Sequence, residues 1–379
     1  MKICVIAPSY LPARRANTIQ TMKMAQAMQQ AGHEVQVTVP AAPDQPVDVD
    51  WETLATQYGL STRFEVSWLP VSARLRGYDY GWRAVQWAQQ AGADLILTRL
   101  PQAAWLASWR GPDVVFEAHD IPRGRLGSWL FPRMISGRHF RRLVVITHAL
   151  RAAINGTYDL RAIDTLVEPD GVDLERYSDL PTAAAARAAL GDAYSLPDRF
   201  TAGYSGHLYP GRGAEVLLHL AQRLPEINVL VVGGEPADVE RLRQQAALIG
   251  LENVQLTGFV PNAELPRYQA ACEVLLMPYQ RRVAASSGGD IGRFLSPMKL
   301  FEYLACGRVI MSSDLPVLQE VLSEQNAILL PPDDLDAWEV QLAGVAADPE
   351  AYDPIAEQAR ATAARFTWAE RVERIIGGA

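Results

Sequence analysis

A lysine and a glutamate three residues apart stand at the start of a well-signalled helix, in the stretch from Gly288 to Gly307, GGDIGRFLSPMKLFEYLACG. Ser296 suits the N-cap, Pro297 suits a first helical position where a missing N–H costs nothing, and Gly307 can take the left-handed conformation that ends a helix. Leu300, Phe301 and Leu304 fall on one side of that helix, while Lys299 and Glu302 share another. Free amide N–H groups at the helix start, together with the positive end of the dipole, can hold a phosphate or diphosphate, and the glycines before it let backbone approach closely. Glu302, which only accepts hydrogen bonds when ionised, suits two neighbouring sugar hydroxyls. The combination suggests a nucleoside diphosphate site. The alternative is a surface helix on which Glu302 pairs with Lys299 or solvent, because exposed ion pairs are common and weak.

Other positions could do chemistry. Arg212 lies between Gly211 and Gly213 in GHLYPGRG; from there a cation can reach a phosphate, or it can be an exposed loop charge. His207 shares the loop. His119 directly follows a strand, at the carboxyl end where doubly wound folds place their ligands, with Asp120 beside it and Glu117 two residues before; a catalytic and a structural role are both open. Arg14, Arg15 and Asn17 occupy the first loop, where they could meet an anionic substrate or be solvated, with Asn17 capping the helix that follows. Between two strands, Arg123, Arg125, Arg133, Arg138, Arg141 and Arg142 interleave with Trp129, Leu130 and Phe131. Such a segment, 123–142, could make a weak peripheral contact with an anionic membrane or bind a lipid-linked acceptor, or it could be a basic helix face packed on its own domain.

The elements that must position these residues read as two α/β halves. Lys2–Ala7 is a strand, Thr18–Ala31 a helix and Glu34–Val39 a strand, the opening of a doubly wound sheet. Further strands fall at Arg63–Trp68, Leu95–Thr98, Val114–Glu117 and Leu143–Thr147, with a helix at Trp82–Ala91. The rhythm restarts with the strand Phe200–Ser205, the helix Ala214–Arg223, the strand Asn228–Gly233, the helix Pro236–Ile249 and the strands Val254–Thr257, Glu273–Met277 and Val309–Ser312. A last helix spans Ile355–Ile376. The expected domains are 1–178 and 179–359, with the final helix, about 360–379, able to cross back onto the first.

At 379 residues the chain is long for one core, which agrees with two domains. Its 49% hydrophobic and 21% charged residues are those of a globular protein, and a net charge of −8 argues against a nucleic-acid binder. No apolar run reaches membrane-span length, and the start MKICVIAPSY lacks the basic-then-apolar form of a signal peptide. The expectation is a cytoplasmic protein, peripheral at the inner face of the cell membrane if 123–142 docks there. Cys4, Cys272 and Cys306 read as buried thiols, and Asp170 and Asp173 as turn residues, so no metal site is expected.

The ordered stretches ANTIQTMKMAQAMQQAGHEV, FEAHDIP, VVITHAL, EPDGVDLERY, YSGHLYPGRGAEVLL, TGFVPNAELPRY, SPMKLFEYLACG and TWAERVERI resemble the family-4 glycosyltransferases of GT-B fold (glycosyl transferases group 1) from the first strand to the last helix. The resemblance implies two Rossmann-like doubly wound domains facing an interdomain cleft. The donor would be a nucleoside diphosphate sugar and the acceptor a saccharide or a lipid-linked group. Transfer would be of hexosyltransferase type, without metal or other cofactor, with retention, and in polysaccharide or glycoconjugate synthesis. By the same resemblance Glu302 holds the ribose, Leu295, Ser296 and Pro297 the diphosphate, and Phe259 and Val260 the base. Arg212 stands where the family has a phosphate-binding lysine, and His207 near where members carry a second cation. His119 matches a histidine near the donor sugar, and Arg14, Arg15, Asn17 and Asp120 fall on the acceptor side. One position departs: Phe294 replaces the first glutamate of the family's Glu-x7-Glu pattern, leaving Asp290 as the nearest carboxylate. Two rival readings remain on this fold, a nucleotide-sugar 2-epimerase and a non-catalytic nucleotide-sugar-binding protein. A dinucleotide oxidoreductase is disfavoured because the first loop has no GxGxxG.

Overall fold

The computed structural model describes residues 1–41, 49–72, 79–284 and 289–377. Gly288, the first residue of the stretch above, lies outside them. The chain forms two compact units, Met1–Asp170 with Trp368–Ala379, and Gly171–Thr367.

The first unit carries strands β1 (Lys2–Ile6), β2 (Glu34–Pro40), β3 (Glu65–Leu69), β4 (Leu95–Thr98), β5 (Asp113–Ala118), β6 (Phe140–Val145) and β7 (Thr165–Val167). Between them run helices α1 (Ala16–Gln30), α2 (Trp51–Tyr58), α3 (Tyr80–Gln90), α4 (Pro101–Arg110), α5 (Gly124–Ile135) and α6 (His148–Asn155). The strands pair in the order β3-β2-β1-β4-β5-β6-β7, all parallel. Strands such as LILT of β4 are apolar and buried throughout, as a sheet covered by helices on both faces requires.

The second unit repeats the plan with α7 (Ala183–Leu190), β8 (Thr201–Ser205), α8 (Ala214–Arg223), β9 (Asn228–Val232), α9 (Pro236–Leu248), β10 (Val254–Gly258), α10 (Leu265–Ala270), β11 (Val274–Met277), α11 (Met298–Cys306), β12 (Val309–Ser313), β13 (Ile328–Leu330), α12 (Leu335–Ala347) and α13 (Asp353–Ala363). Its parallel sheet runs β10-β9-β8-β11-β12-β13. One side of its core packs Val216, Leu220, Val231, Leu276 and Trp338. In each unit the chain begins at a central strand, builds outward one way and then returns to build the other. That reversal places a switch point between β1 and β4, and another between β8 and β11, where loops diverge and a ligand can enter.

The last expected helix is in fact two, α13 and α14 (Trp368–Ile376). Thr367 pairs with Val172 as an isolated parallel bridge, and Val172 N–H donates to the Phe366 carbonyl at 2.9 Å. This pairing pulls the chain out of helical geometry. Trp368, Val372, Ile375 and Ile376 then form the buried stripe of α14, which packs on α1. The three cysteines are free and buried, and burial pushes the Cys306 thiol up to about 12.

Candidate functional site

After β8 the chain turns through 206–213 into α8, and the turn depends on glycine. Gly206, Gly211 and Gly213 have φ of 129°, 83° and 84°. A Cβ at Gly211 would lie 1.9 Å from the Arg282 carbonyl oxygen, and one at Gly213 2.1 Å from that of Pro278. The loop after β11 is therefore pressed against the loop after β8. It is also stitched to it, with Gln280 N–H donating to Gly211 O at 2.9 Å and Ala284 N–H to Pro210 O at 3.0 Å. Arg212 leaves this double loop and donates from Nη1 to Tyr279 Oη at 3.2 Å.

Helix α11 follows the second loop, and two features differ from expectation. It starts at Met298 because Pro297 stays extended (φ −81, ψ 128) and occupies the N-cap, so Ser296 lies one residue outside the capping position and the N-cap residue itself makes no side-chain cap bond. Gly307 ends the helix in the left-handed conformation, with φ 63°. The surface-helix alternative fails: Lys299, Leu300, Phe301, Tyr303, Leu304, Ala305 and Cys306 are all buried. Lys299 is only 7% exposed, and among the described residues its Nζ has no hydrogen-bond partner. That amine sits 3.6 Å above the Tyr204 ring, and a Cβ at Gly206 would come within 2.9 Å of it. Burial, reinforced by the Arg212 charge and opposed by Glu302, holds its pKa well below the usual ammonium value. A buried amine beside a guanidinium, with no acceptor of its own, is strongly disfavoured as a cation until an anion arrives.

Glu302 lies one position beyond the first turn and is half-buried. Gln269 Nε2, from α10, donates to Glu302 Oε2 at 3.3 Å and to Ser205 Oγ at 3.1 Å. Tyr177 Oη in turn donates to Gln269 Oε1 at 2.8 Å. A buried amide thus sets the carboxylate's orientation, a feature no local pattern announced.

The other expected positions of this unit are more scattered. His207 stacks on Tyr209 with centroids 4.8 Å apart, and its Nδ1 lies 3.7 Å from Glu235. Phe259 and Val260 follow β10, whose end is tied to the loop after β9 by Gly233 N–H donating to Gly258 O at 2.8 Å. Phe294 and Leu295 are buried core side chains, 5% and 6% exposed. Asp290 uses one oxygen to accept from Val283 N–H and Gly292 N–H, each at 2.9 Å, so that oxygen braces its own loop. Those two bonds hold its carboxyl below the usual range.

In the first unit, His119 stands just beyond β5, 21% exposed. Its Nε2 is hydrogen-bonded to Glu117 Oε1, which also accepts from Gln20 Nε2 of α1 at 2.7 Å. Burial, and then the charge of Arg99, lower the His119 pKa to about 4 against the pull of Glu117. The imidazole is therefore neutral near pH 7, with Nε2–H facing the carboxylate and Nδ1 left to accept. Glu117 is buried, yet Arg371 and His119 keep it ionised. Arg14 and Arg15 are exposed. Asn17 does not cap α1, whose N-cap is Arg15 with no side-chain cap bond; instead its Nδ2 donates to Ser9 Oγ at 2.5 Å. The exposed Asp120 accepts from Ile121 N–H at 2.7 Å. Among the described residues, His219, Asp336 and Glu339 bring ligand-type atoms within 4.8 Å of one another, but Arg223 Nε already lies 2.9 Å from Glu339.

Two doubly wound parallel units are the fold of the GT-B class of glycosyltransferases. The model of the family described as "Glycosyl transferases group 1" matches residues 199–348, and that of "Glycosyltransferase Family 4" matches residues 18–176. The chain belongs to the family-4 glycosyltransferases. It is 24% identical over 385 residues to the phosphatidyl-myo-inositol mannosyltransferase of Mycolicibacterium smegmatis, covering 97% of this chain and 90% of that one. It is 29% identical over 187 residues to that organism's GDP-mannose-dependent alpha-(1-6)-phosphatidylinositol monomannoside mannosyltransferase, a match spanning 48% of this chain and 47% of the relative. Its fold is that of Anabaena HepE, solved in complex with UDP and glucose, with a TM-score of 0.74, 20% identity and 100% coverage of both chains.

Proposed function

We propose that this protein moves a hexosyl group from a nucleoside diphosphate sugar to an acceptor hydroxyl, with retention and without a metal. The observation that carries the reading is the buried Lys299 amine, without a partner among the described residues, beside Arg212 on the first turn of α11. A diphosphate supplies the missing counter-charge, and the two cations with the helix N–H groups stabilise it as it departs. Such preorganised groups are commonly the largest catalytic term, one donor being worth about 3–4 kcal/mol. Glu302, set by Gln269, accepts from the ribose hydroxyls, and backbone around Phe259 and Val260 meets the base. By the family resemblance His119 is assigned to the donor sugar, its Nδ1 accepting from a sugar hydroxyl. The acceptor attacks from the leaving group's own side, and a phosphate oxygen takes its proton. Incubating the protein with nucleoside diphosphate sugars, GDP-mannose and UDP-glucose first, together with saccharide or inositol-lipid acceptors tests the reading. It predicts nucleoside diphosphate release that requires acceptor; an epimer formed from donor alone, or binding without turnover, overturns it.

A peripheral membrane contact is a second proposal, favoured by the surface of α5. Leu126 and Trp129 are exposed there, and the Arg133 guanidinium lies 4.4 Å over the Trp129 ring. No described helix is long and apolar enough to cross a membrane. Co-sedimentation with phosphatidylglycerol vesicles, lost in Trp129→Glu and absent with phosphatidylcholine, supports this contact; equal sedimentation of both proteins refutes it.

A further inference from the structure

Arg371 of α14 is 1% exposed and its Nη2 lies 2.9 Å from Oε2 of Glu117, itself 2% exposed. A buried pair of this kind contributes little net stability, because desolvation offsets the attraction. The rest of the arrangement indicates what the pair does. Arg371 Nε donates to Pro169 O at 2.7 Å, Nη2 to Glu168 O at 3.3 Å, and Nη1 rests 3.0 Å from Met24 Sδ. Its guanidinium is therefore a fixed fork, and the carboxylate it grips has one oxygen left. That oxygen, Oε1, faces His119 Nε2 and Gln20 Nε2.

We propose that Arg371, delivered by the last helix, is a positioning residue for His119: by clamping Glu117 it fixes the Nε2–H tautomer and leaves Nδ1 as the accepting atom. The inference rests on the reading of His119 as a group at the donor sugar. Charge enters as well as geometry. Around His119 and Glu117 stand Arg99 after β4, Asp170 after β7, Gln20 on α1 and Arg371 on α14. Arg371 and Arg99 both disfavour a proton on His119, while Glu117 favours one. Without Arg371, the uncompensated carboxylate would draw a proton onto the imidazole, and Nδ1 would become a donor.

The test combines a double-mutant cycle with a direct view of the ring. In Arg371→Met, kcat at pH 7 falls about 10- to 100-fold, the scale expected when a polar catalytic group is held in the wrong protonation state, with donor KM within about twofold. In a His119→Ala background the same substitution changes kcat little, because its effect passes through the imidazole. Imidazole 15N NMR shows the neutral Nε2–H tautomer at pH 7 in the wild type and a titration midpoint raised to about 8 or higher in Arg371→Met, as protonation of most of the ring at pH 7 requires. If Arg371→Met does not fold, Glu117→Gln, which keeps the shape of the side chain, replaces it in the kinetic cycle with the same expected non-additivity. Losses that multiply, or an unchanged tautomer and midpoint, overturn the proposal. Full activity in His119→Ala alone would instead overturn the reading of His119, and the NMR result would then decide the clamp by itself.

Discussion

Replacing Lys299 by methionine should separate stability from binding. The lysine is buried on α11, and its Nζ, without a hydrogen-bond partner among the described residues, is held over Tyr204 near Arg212. Leaving a buried polar group unsatisfied costs about 1–3 kcal/mol, and more when it is charged. Methionine has a similar length and no such group, so Lys299→Met should raise the ligand-free unit's stability by about that amount. For a unit of this size, roughly 2–4 °C of Tm accompanies each kcal/mol. The pH dependence has a definite sign. The folded pKa lies below the usual 10.5, so the unfolded chain binds more protons between the two values, and ligand-free stability rises with pH across that window. The methionine variant lacks that slope. With nucleoside diphosphate present the order reverses: losing one charge-assisted contact, about 1.5–3 kcal/mol, weakens Kd about 10- to 150-fold. Thermal unfolding with and without nucleoside diphosphate, plus isothermal titration, reads both effects. A variant that is less stable when ligand-free and binds as tightly as the wild type would show that Lys299 is a packing residue and refute the reasoning.

Three further outcomes follow from the same geometry. Glu302→Ala should raise the Kd for nucleoside diphosphate about 10-fold or more, and Gln269→Leu should reproduce part of that loss by removing a hydrogen bond that orients the carboxylate; titration of both against wild type checks the pair. Arg212→Ala should lower turnover about 100- to 1000-fold, exceeding any rise in donor KM, and steady-state kinetics with unchanged turnover would contradict it. Because His119 takes a proton only near pH 4, a pH profile should show no acidic limb near 6.5 from this residue, and a limb there that vanishes in His119→Ala would be evidence against its neutral state.

The strands were readable because a parallel sheet covered on both faces needs short apolar runs between turn residues. β4 and α8 match the expected ranges to the residue, and the glycine loop before α8 was legible from GHLYPGRG. Periodicity failed where neighbours come from elsewhere in the chain. It put Lys299 on a shared polar face with Glu302, but α11 is buried nearly all round, which only the packing of distant elements decides. The expected single helix at the end breaks because Thr367 pairs with Val172. Gln269 reaches Glu302 across 33 residues, and Tyr177 reaches Gln269 across 92. Neither contact leaves a local signature. Arg371 drew no notice in the sequence, because its burial against Glu117 depends on where α14 docks.

The central claim is sugar transfer from a nucleoside diphosphate donor, and the most direct measurement is the stoichiometry of products. With donor and acceptor supplied together, the account predicts equimolar nucleoside diphosphate and glycosylated acceptor, with both lost in Glu302→Ala at donor concentrations that saturate the wild type only. Donor bound but returned intact, or converted to an epimer with no acceptor modified, would contradict it.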